Sequence, residues 1–590
     1  MWSQNWRDAT WSHLDQPWDI VVIGGGITGA GILREASRVG LRVLLVEQRD
    51  FAWGTSSRSS KLVHGGLRYL KEGSFRLTRA AVRERERLLE EGPGLIDPLG
   101  FLLATYKGDS PGRRIYGAGL TVYDLLALQW THRYFKAADF RLLAPHIAQD
   151  GLQGGFQYGD AQTDDARLVL RVIREAVAGG GARHGVDSAA ALNYVRAERL
   201  LRDTRDRVIG VRLRDMEGQR EADVTARVVI NATGVWADRL RAEVGGASRI
   251  RPLRGSHLIF AAWRLPIAQA IGFLHPMDRR PVFIFPWEGI TLVGTTDVDH
   301  ADALDAEPAI SPQEVAYLMA AVEAEFPSLG LTLDDVVATF AGVRPVIGSG
   351  KLDPSKESRD HVVWEENGLL TVTGGKLTTF RRIALDALKA VRGRLPDLGS
   401  LNGKTPVLNP VDLPLSTPTG GRLDEACRHR LLGRYGADAP ALLAAAQPGE
   451  LALIPGARVV WAELRWAALA EGVMHLDDLL LRRVRLGLLL PRGGEAILPR
   501  VRAICQAELG WDDATWEREQ AAYLALWRRC YSLPDRAAIP DWRPMIAQAQ
   551  ATRQVTRKAR RRRLIKRATV ASAAVGSAVA LGWFARRHRR

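Results

Sequence analysis

Apolar residues in the first 300 positions gather in short unbroken runs between glycine-rich turns; helical spacing dominates only later. Trp18–Ile23 (WDIVVI) is such a run, and it predicts a strand buried on both faces. A helix-compatible segment, Ala30–Val39, follows and is closed by Gly40. Arg42–Glu47 (RVLLVE) then predicts a second buried strand. Strand, helix and strand form a βαβ unit. Its first turn, Gly24-Gly25-Gly26-Ile27-Thr28-Gly29, fits G-x-G-x-x-G. Such glycines let the backbone turn tightly and approach a pyrophosphate, while the helix N-terminus supplies N–H groups to the anion. Glu47 stands 21 residues after Gly26, at the end of the second strand, where a carboxylate can bind ribose hydroxyls. The unit therefore predicts dinucleotide binding, with Gly24, Gly26, Ile27, Thr28, Gly29 and Glu47 as contacts. Its place near residue 20 favours FAD over NAD.

Three further turns carry small and polar residues. Asp50–Lys61 (DFAWGTSSRSSK) is dense in hydroxyls that can reach phosphate or flavin oxygens, a surface loop being the bland alternative. Its candidate cofactor contacts are Thr55, Ser56, Ser57, Ser59, Ser60 and Lys61, followed by His64 and Gly65. Arg227–Asn231 predicts a buried strand ending in Ala232-Thr233-Gly234, a turn small enough to pass beside a nucleotide. Thr373–Phe380 (TGGKLTTF) precedes a helical run, Arg381–Val391, and offers Gly375, Lys376, Leu377 and Thr378. A helix N-terminus there can face a ring edge where negative charge develops.

Helical spacing begins after residues 396–422, where Pro406, Pro410, Pro414 and Pro418 predict a stiff linker or surface crossing. Trp461–Ala470, Leu476–Leu490 and Trp516–Arg529 are the clearest helices. Within them, Arg482-Arg483-Val484-Arg485 is expected to be a solvated face or an interdomain salt-bridge surface, with a membrane-facing patch the alternative. The expected organisation is an oxidoreductase domain over 18–395, the linker, a helical domain over 423–545 and a tail over 551–590.

At 590 residues the chain is long enough for three or four units of ordinary domain size. With 46% apolar and 25% charged residues, wholesale disorder, a collagen and a polytopic membrane protein are excluded. Three cysteines without a CxxC pair exclude a disulfide framework or structural zinc site. Residues 1–17 contain no apolar run of signal-peptide length, and their tryptophans are expected to pack on the body. The net charge of +16 is misleading: residues 551–590 hold thirteen Lys or Arg and no acid, and removing them leaves +3. The body therefore calls for no polyanionic partner. In the tail, an 18-residue uncharged stretch, Ala568–Ala585, lies between two basic clusters. As a helix it reaches about 27 Å, enough for a thin bilayer core. A spanning helix, an interfacial helix and a disordered basic tail all remain open; the terminal Trp583-Phe584 favours lipid over nucleic acid.

Taken together, these segments resemble the FAD-dependent, quinone-linked glycerol-3-phosphate dehydrogenases over about residues 18–540. The resemblance is carried by IGGGITGAG (23–31), TSSRSSKLVHGGLRYL (55–70), YGDAQTDDARLVL (158–170), RGSH (254–257), FPWEGITLVGTTD (285–297), GVRP (342–345), SRD (358–360), GGKLTTF (374–380) and DDLLLRRVRLG (477–487). It implies oxidation of sn-glycerol 3-phosphate to dihydroxyacetone phosphate, with FAD as hydride acceptor and a membrane quinone as the next acceptor. It also implies an α/β fold of the glutathione-reductase type: a Rossmann FAD domain interwoven with an antiparallel-sheet substrate domain, plus a helical C-terminal domain.

Family positions transfer to Arg68, Tyr69, His257, Arg344, Arg359 and Lys376. Arg344 and Arg359 are expected to fork the phosphate, aided by Arg68 and Tyr69. Lys376 is expected beside the flavin. His257 is the first candidate for the base and His64 the second, a structural histidine being the alternative for each. Two departures stand out: Arg254 where the family often has Lys, and Thr28 where Asn is frequent. Expected partners are glycerol 3-phosphate, a quinone and, through the tail, lipid at the cytoplasmic membrane face; a homodimer is admitted and nucleic acid is not expected. The rival readings are an oxygen-using flavin oxidase, an amine or amino-acid oxidoreductase, and a non-catalytic flavoprotein.

Overall fold

The computed structural model describes residues 2, 5–67, 75–109, 112–179, 188–348, 357, 360–411, 423–549 and 551–552. Arg68, Tyr69, Arg359, the later part of the proline-rich linker and the Ala568–Ala585 stretch lie outside the described residues.

Two sheets organise the chain. The first has eight strands, six of them in the order His361–Glu366, Leu369–Gly374, Glu221–Asn231, Trp18–Ile23, Val43–Val46 and Ala189–Leu192. Of these six, all but the first pair run parallel, with Ile20 beside Val43 and Ile23 beside both Val46 and Asn231. A hairpin, Val195–Arg202 and Val208–Asp215, continues antiparallel from Glu221–Asn231. The parallel strands are buried on both faces, which is why they read as continuous apolar runs. Helices Ile27–Arg38, Asp165–Ala178 and Phe380–Ala390 cover one face, packing Ile32, Val172 and Ile383 with Ile20 and Val43 in one core.

The first helix begins three residues before the expected Ala30. Glycine weighs against helix in a sequence reading, but a Cβ on Gly31 would lie 2.9 Å from the Phe380 ring. Gly31 is the contact that lets two helices meet, so packing outweighs propensity.

The second sheet has nine mostly antiparallel strands, with Ile250–Ala261 between Val336–Ile347 and Ile290–Gly294. Helix Pro312–Glu325 packs on one face, starting in a capping box at Ser311 and Glu314. The other face presents Phe101, Tyr158, Phe285 and Phe340 to a core shared with Leu480, Leu486, Trp516 and Tyr523 of the C-terminal helices. Its strands alternate in sequence with those of the first sheet, so the two sheets share one interwoven chain.

Residues 398–411 are no bare crossing. Val407 and Leu408 are fully buried, and the Val407 N–H donates to Glu91 at 2.7 Å. The C-terminal helices include Glu425–Tyr435, Trp461–Ala470 and Asp513–Cys530. The single helix expected over Leu476–Leu490 is instead broken into a π-turn, Asp478–Arg483, and a short helix, Leu486–Leu489. Between them Arg485 adopts a left-handed conformation with φ 63°. The break has a cause: Arg482, Arg483 and Arg485 are all buried and all reach carboxylates, which one regular helix face could not deliver. The cluster is therefore neither a solvated face nor a membrane patch; the salt-bridge reading describes it. At the N-terminal end Trp2 is buried and stacks on Phe51 at 5.0 Å. Among the described residues no helix is long and apolar enough to cross a membrane.

Candidate active site

The parallel strands end in a cleft built by the four turns singled out above. Gly24, Gly26, Ile27, Thr28 and Glu47 line it, as do Thr55, Ser56, Ser59, Ala232, Thr233, Gly234, Gly375, Lys376 and Leu377. Gly24 has φ 116°, and a Cβ there would sit 2.6 Å from the Ala232 carbonyl oxygen. This glycine lets the first turn lie against the turn of another strand. Gly29 lies so close to the Gly24 carbonyl that a Cβ would be 1.9 Å from it. Gly26 differs: its nearest neighbour would be Ser56 Oγ at 3.1 Å, and the residue faces the cleft. Ser56 Oγ also accepts the Ile27 N–H at 3.0 Å, fixing the hydroxyl loop to the helix start.

Glu47 accepts the Gly25 N–H at 2.8 Å and the Arg49 N–H at 3.0 Å. Burial raises its pKa, and those two donors oppose the rise. The far wall of the cleft is Val195, Arg196, Ala197 and Glu198, with Arg239 and Glu243. None of these carried a motif. The hairpin strand is fastened there by the Val195 N–H donating to the Glu47 carbonyl at 2.8 Å.

A second cavity opens on the first through Thr55, Ser59, Pro345, Gly375, Lys376 and Leu377. Its cationic lining is Arg58, Arg280, Arg344 and Lys376; its other polar walls include Ser60, His64, Asp160 and Asp297. Arg344 is held at 2.9 Å by Asp297 Oδ1 and at 2.9 Å by Thr295 Oγ1. Arg280 donates to the Asp297 carbonyl at 2.8 Å. Sequence patterns did not single out Arg58, Arg280 or Asp160; Arg58 and Asp160 lay within conspicuous stretches, while Arg280 had no signal. Thr378 donates to the His64 carbonyl at 3.2 Å, and Asp160 accepts the N–H of Gly65 at 2.9 Å. The His64 segment is thus tied from two sides. Burial raises the Asp160 pKa, with Arg85 opposing.

Several expected contacts sit behind these walls. His257 is buried on the strand Ile250–Ala261 and lines neither cavity. Its Nε2 meets Ser60 Oγ at 2.9 Å, its ring stacks on Phe340, and Nδ1 has no partner among the described residues. Burial, then Arg344 and Lys61, hold its pKa well below the usual imidazole value, so the ring is neutral. Lys61 is also buried, donating at 2.9 Å to Asp165 and at 2.8 Å to the Ser57 carbonyl. Burial, with Arg485 adding to it, lowers its pKa to about 7. Ser57 and Gly65 line neither cavity; a Cβ on Gly65 would meet the Tyr123 hydroxyl at 2.1 Å. Arg254 is engaged by Glu314 and Asp302, away from both cavities.

Residues 19–381 match the FAD dependent oxidoreductase family, and residues 398–516 match the C-terminal domain of alpha-glycerophosphate oxidase. The aerobic glycerol-3-phosphate dehydrogenase of Staphylococcus epidermidis is 35% identical over 503 residues, covering 81% of this chain and 88% of the relative. The chain belongs to the FAD-dependent glycerol-3-phosphate dehydrogenase family. Its Staphylococcus aureus member is 34% identical over 489 residues, covering 79% of this chain and 86% of its own. The FAD complex of the Bacillus halodurans glycerol-3-phosphate dehydrogenase superposes with a TM-score of 0.70 at 27% identity, covering 90% of this chain and 98% of that one. The α/β fold expected of the family, with its helical C-terminal region, is the one observed.

The first cavity suits the family's FAD. Its wall has the glycine whose Cβ would point at nothing but a serine hydroxyl, a helix N-cap without a capping side chain, and a carboxylate at the second strand end. Gly26, Thr28 and Ser56 would hold the pyrophosphate, Glu47 the ribose, and Gly375 to Leu377 the end adjoining the second cavity.

Proposed function

We propose that this protein oxidises sn-glycerol 3-phosphate to dihydroxyacetone phosphate and passes the electrons to a membrane quinone at the cytoplasmic face. The observation that carries this reading is the second cavity: Arg280, Arg344 and Lys376 line it beside the wall it shares with the cofactor cavity, while Arg58, also in its lining, is paired with Glu307. A small phosphorylated alcohol needs cations at one end and an electron acceptor at the other. An amino-acid substrate would ask for a single cation against its carboxylate. FAD, when bound, would accept the hydride from the carbinol carbon, which carries both electrons.

The chain's own residues do the rest. Arg344, held in place by Asp297 and Thr295, lines the cavity with Arg280 beside it, and the two bring positive charge to the phosphate. Arg68, Tyr69 and Arg359 join them in this proposal on the strength of the family motifs. His64 lines the cavity and accepts the proton of the secondary alcohol. His257 stays neutral and orients the Ser60 hydroxyl from behind. Lys376 lines both cavities and compensates negative charge on either side of the shared wall. The division into an oxidoreductase body over 18–395, a helical domain over 423–545 and a lipid-seeking tail over 551–590 belongs to the same proposal.

Anaerobic addition of glycerol 3-phosphate to the purified flavoprotein tests it. The yellow absorbance should bleach and return when a soluble quinone is added. A flavin left oxidised by excess glycerol 3-phosphate removes the proposed substrate. The match to an oxidase C-terminal domain gives a second reading, oxygen as acceptor. Stoichiometric peroxide in air, with no reoxidation by quinone, would decide for it.

A further inference from the structure

The loop from Asp50 to Lys61 lines the cofactor cavity with one side only, through Trp53, Gly54, Thr55, Ser56 and Ser59. Its other side meets the C-terminal region at both ends. Asp50, fully buried, accepts from Arg483 Nη1 at 2.6 Å and Nη2 at 2.8 Å, and from Arg482 Nε at 2.6 Å. The π-turn Asp478–Arg483 makes this geometry: the wider turn brings two consecutive arginines to one carboxylate. At the far end Arg485 Nη2 donates to the Ser57 carbonyl at 2.7 Å and to Asp165 at 3.2 Å. Asp165 in turn accepts the Ser59 N–H at 2.9 Å and the Ser59 hydroxyl at 2.7 Å. Arg485 holds a left-handed backbone, φ 63°, that a side-chain-bearing residue enters only at a cost. None of the three arginines lines either cavity.

We propose that Arg482, Arg483 and Arg485 are positioning residues for the cofactor: the C-terminal region clamps both ends of the Asp50–Lys61 loop and so sets the flavin's surroundings without touching it. The alternative, that these ion pairs merely glue two parts of the chain, predicts lost stability and nothing else. The inference rests on the flavin reading of the first cavity and is independent of the substrate.

The test uses full-length Arg485→Met, with Arg485→Lys as the conservative partner. Both are measured well below their unfolding temperatures. In Arg485→Met, FAD should dissociate at least tenfold faster. At saturating FAD, the visible circular dichroism of the bound flavin should be shifted, and Lys should restore part of both. A lower unfolding temperature with FAD release within twofold and an unchanged visible spectrum overturns the proposal. Wild-type chain that takes up no FAD overturns the flavin reading itself, which separates the two failures. If Arg485→Met does not fold, hydrogen exchange on the wild-type full chain decides. Adding FAD should slow exchange at least twofold in residues 477–487, which line neither cavity. Unchanged exchange there overturns the clamp.

Discussion

Gly29→Ala is expected to cost both stability and cofactor, whereas Gly26→Ala should cost cofactor alone. The two glycines share one turn and one motif but face different things. At Gly29 the added Cβ would lie 1.9 Å from the Gly24 carbonyl oxygen and 3.3 Å from Val22 Cγ1. Non-bonded heavy atoms settle at about 3.5–4.0 Å. Relief therefore needs a displacement on the order of 1 Å or more between the helix and the strand end, through backbone that cannot swing aside. Overpacking of this kind costs about 1–3 kcal/mol. Alanine's better helix propensity returns about 0.5–1 kcal/mol, so destabilisation wins, and the moved helix start weakens FAD as well. At Gly26 the nearest atom is the Ser56 hydroxyl at 3.1 Å, which need yield only a few tenths of an ångström and can keep its bond to the Ile27 N–H. That variant should unfold within about 0.5 kcal/mol of wild type, as substitutions without a packing cost do, yet bind FAD poorly because the methyl enters the cleft. Thermal unfolding of each apoprotein, with flavin fluorescence titration, measures both quantities. Equal losses of apoprotein stability in the two variants would refute the assignment of one glycine to packing and the other to the ligand.

Arg344→Ala should lower kcat/KM for glycerol 3-phosphate on the order of 10²-fold, since charge-assisted hydrogen bonds are worth about 1.5–3 kcal/mol each, while FAD content stays at wild-type level; near-normal kinetics would take it out of the substrate cavity. His64→Gln should abolish the acid limb of the kcat–pH profile, because a base must be unprotonated to accept the alcohol proton; His257→Gln should lower kcat and keep that limb. For Asp50, burial alone would raise the carboxyl, but Arg483 and Arg482 outweigh it and bring the pKa down from 3.8 to about 2. A depressed acid stabilises the fold above its unfolded pKa, and this is lost as pH falls through the folded value. A shift of that size corresponds to about 2 kcal/mol, present at neutral pH and fading between about pH 4 and 2. Asp50→Asn should therefore unfold more easily than wild type at neutral pH, with the gap narrowing across that acid window in chemical denaturation curves. Removing residues 551–590 should shift the enzyme from the membrane to the soluble fraction with dye-linked activity intact; a truncated enzyme still wholly on membranes would assign anchoring elsewhere.

The cofactor turns were legible because their requirements are local. A glycine that must lie against a neighbouring carbonyl, or a strand buried on both faces, writes itself into consecutive residues. The wall formed by Val195–Glu198 was not, because it is brought to the cleft by the Val195 N–H bonding the Glu47 carbonyl, 148 residues earlier (195 − 47). Arg280 escaped for the same reason. His257 shows a subtler limit: its motif survives in the sequence, but the direction of its ring depends on Phe340 stacking and on Ser60, both far along the chain. The Arg482–Arg485 cluster was ambiguous because charge suggests water until the opposing carboxylates are brought into place.

Interweaving of the two sheets has a consequence for how the chain is made. The strand Trp18–Ile23 lies beside Glu221–Asn231, which in turn lies beside Leu369–Gly374. The nascent polypeptide must wait on the ribosome for well over half its length before the helix Phe380–Ala390 closes on the first βαβ unit at Gly31. No contiguous gene fragment can therefore encode one of the two sheets alone, and splitting or swapping halves should yield insoluble product rather than a working cofactor module.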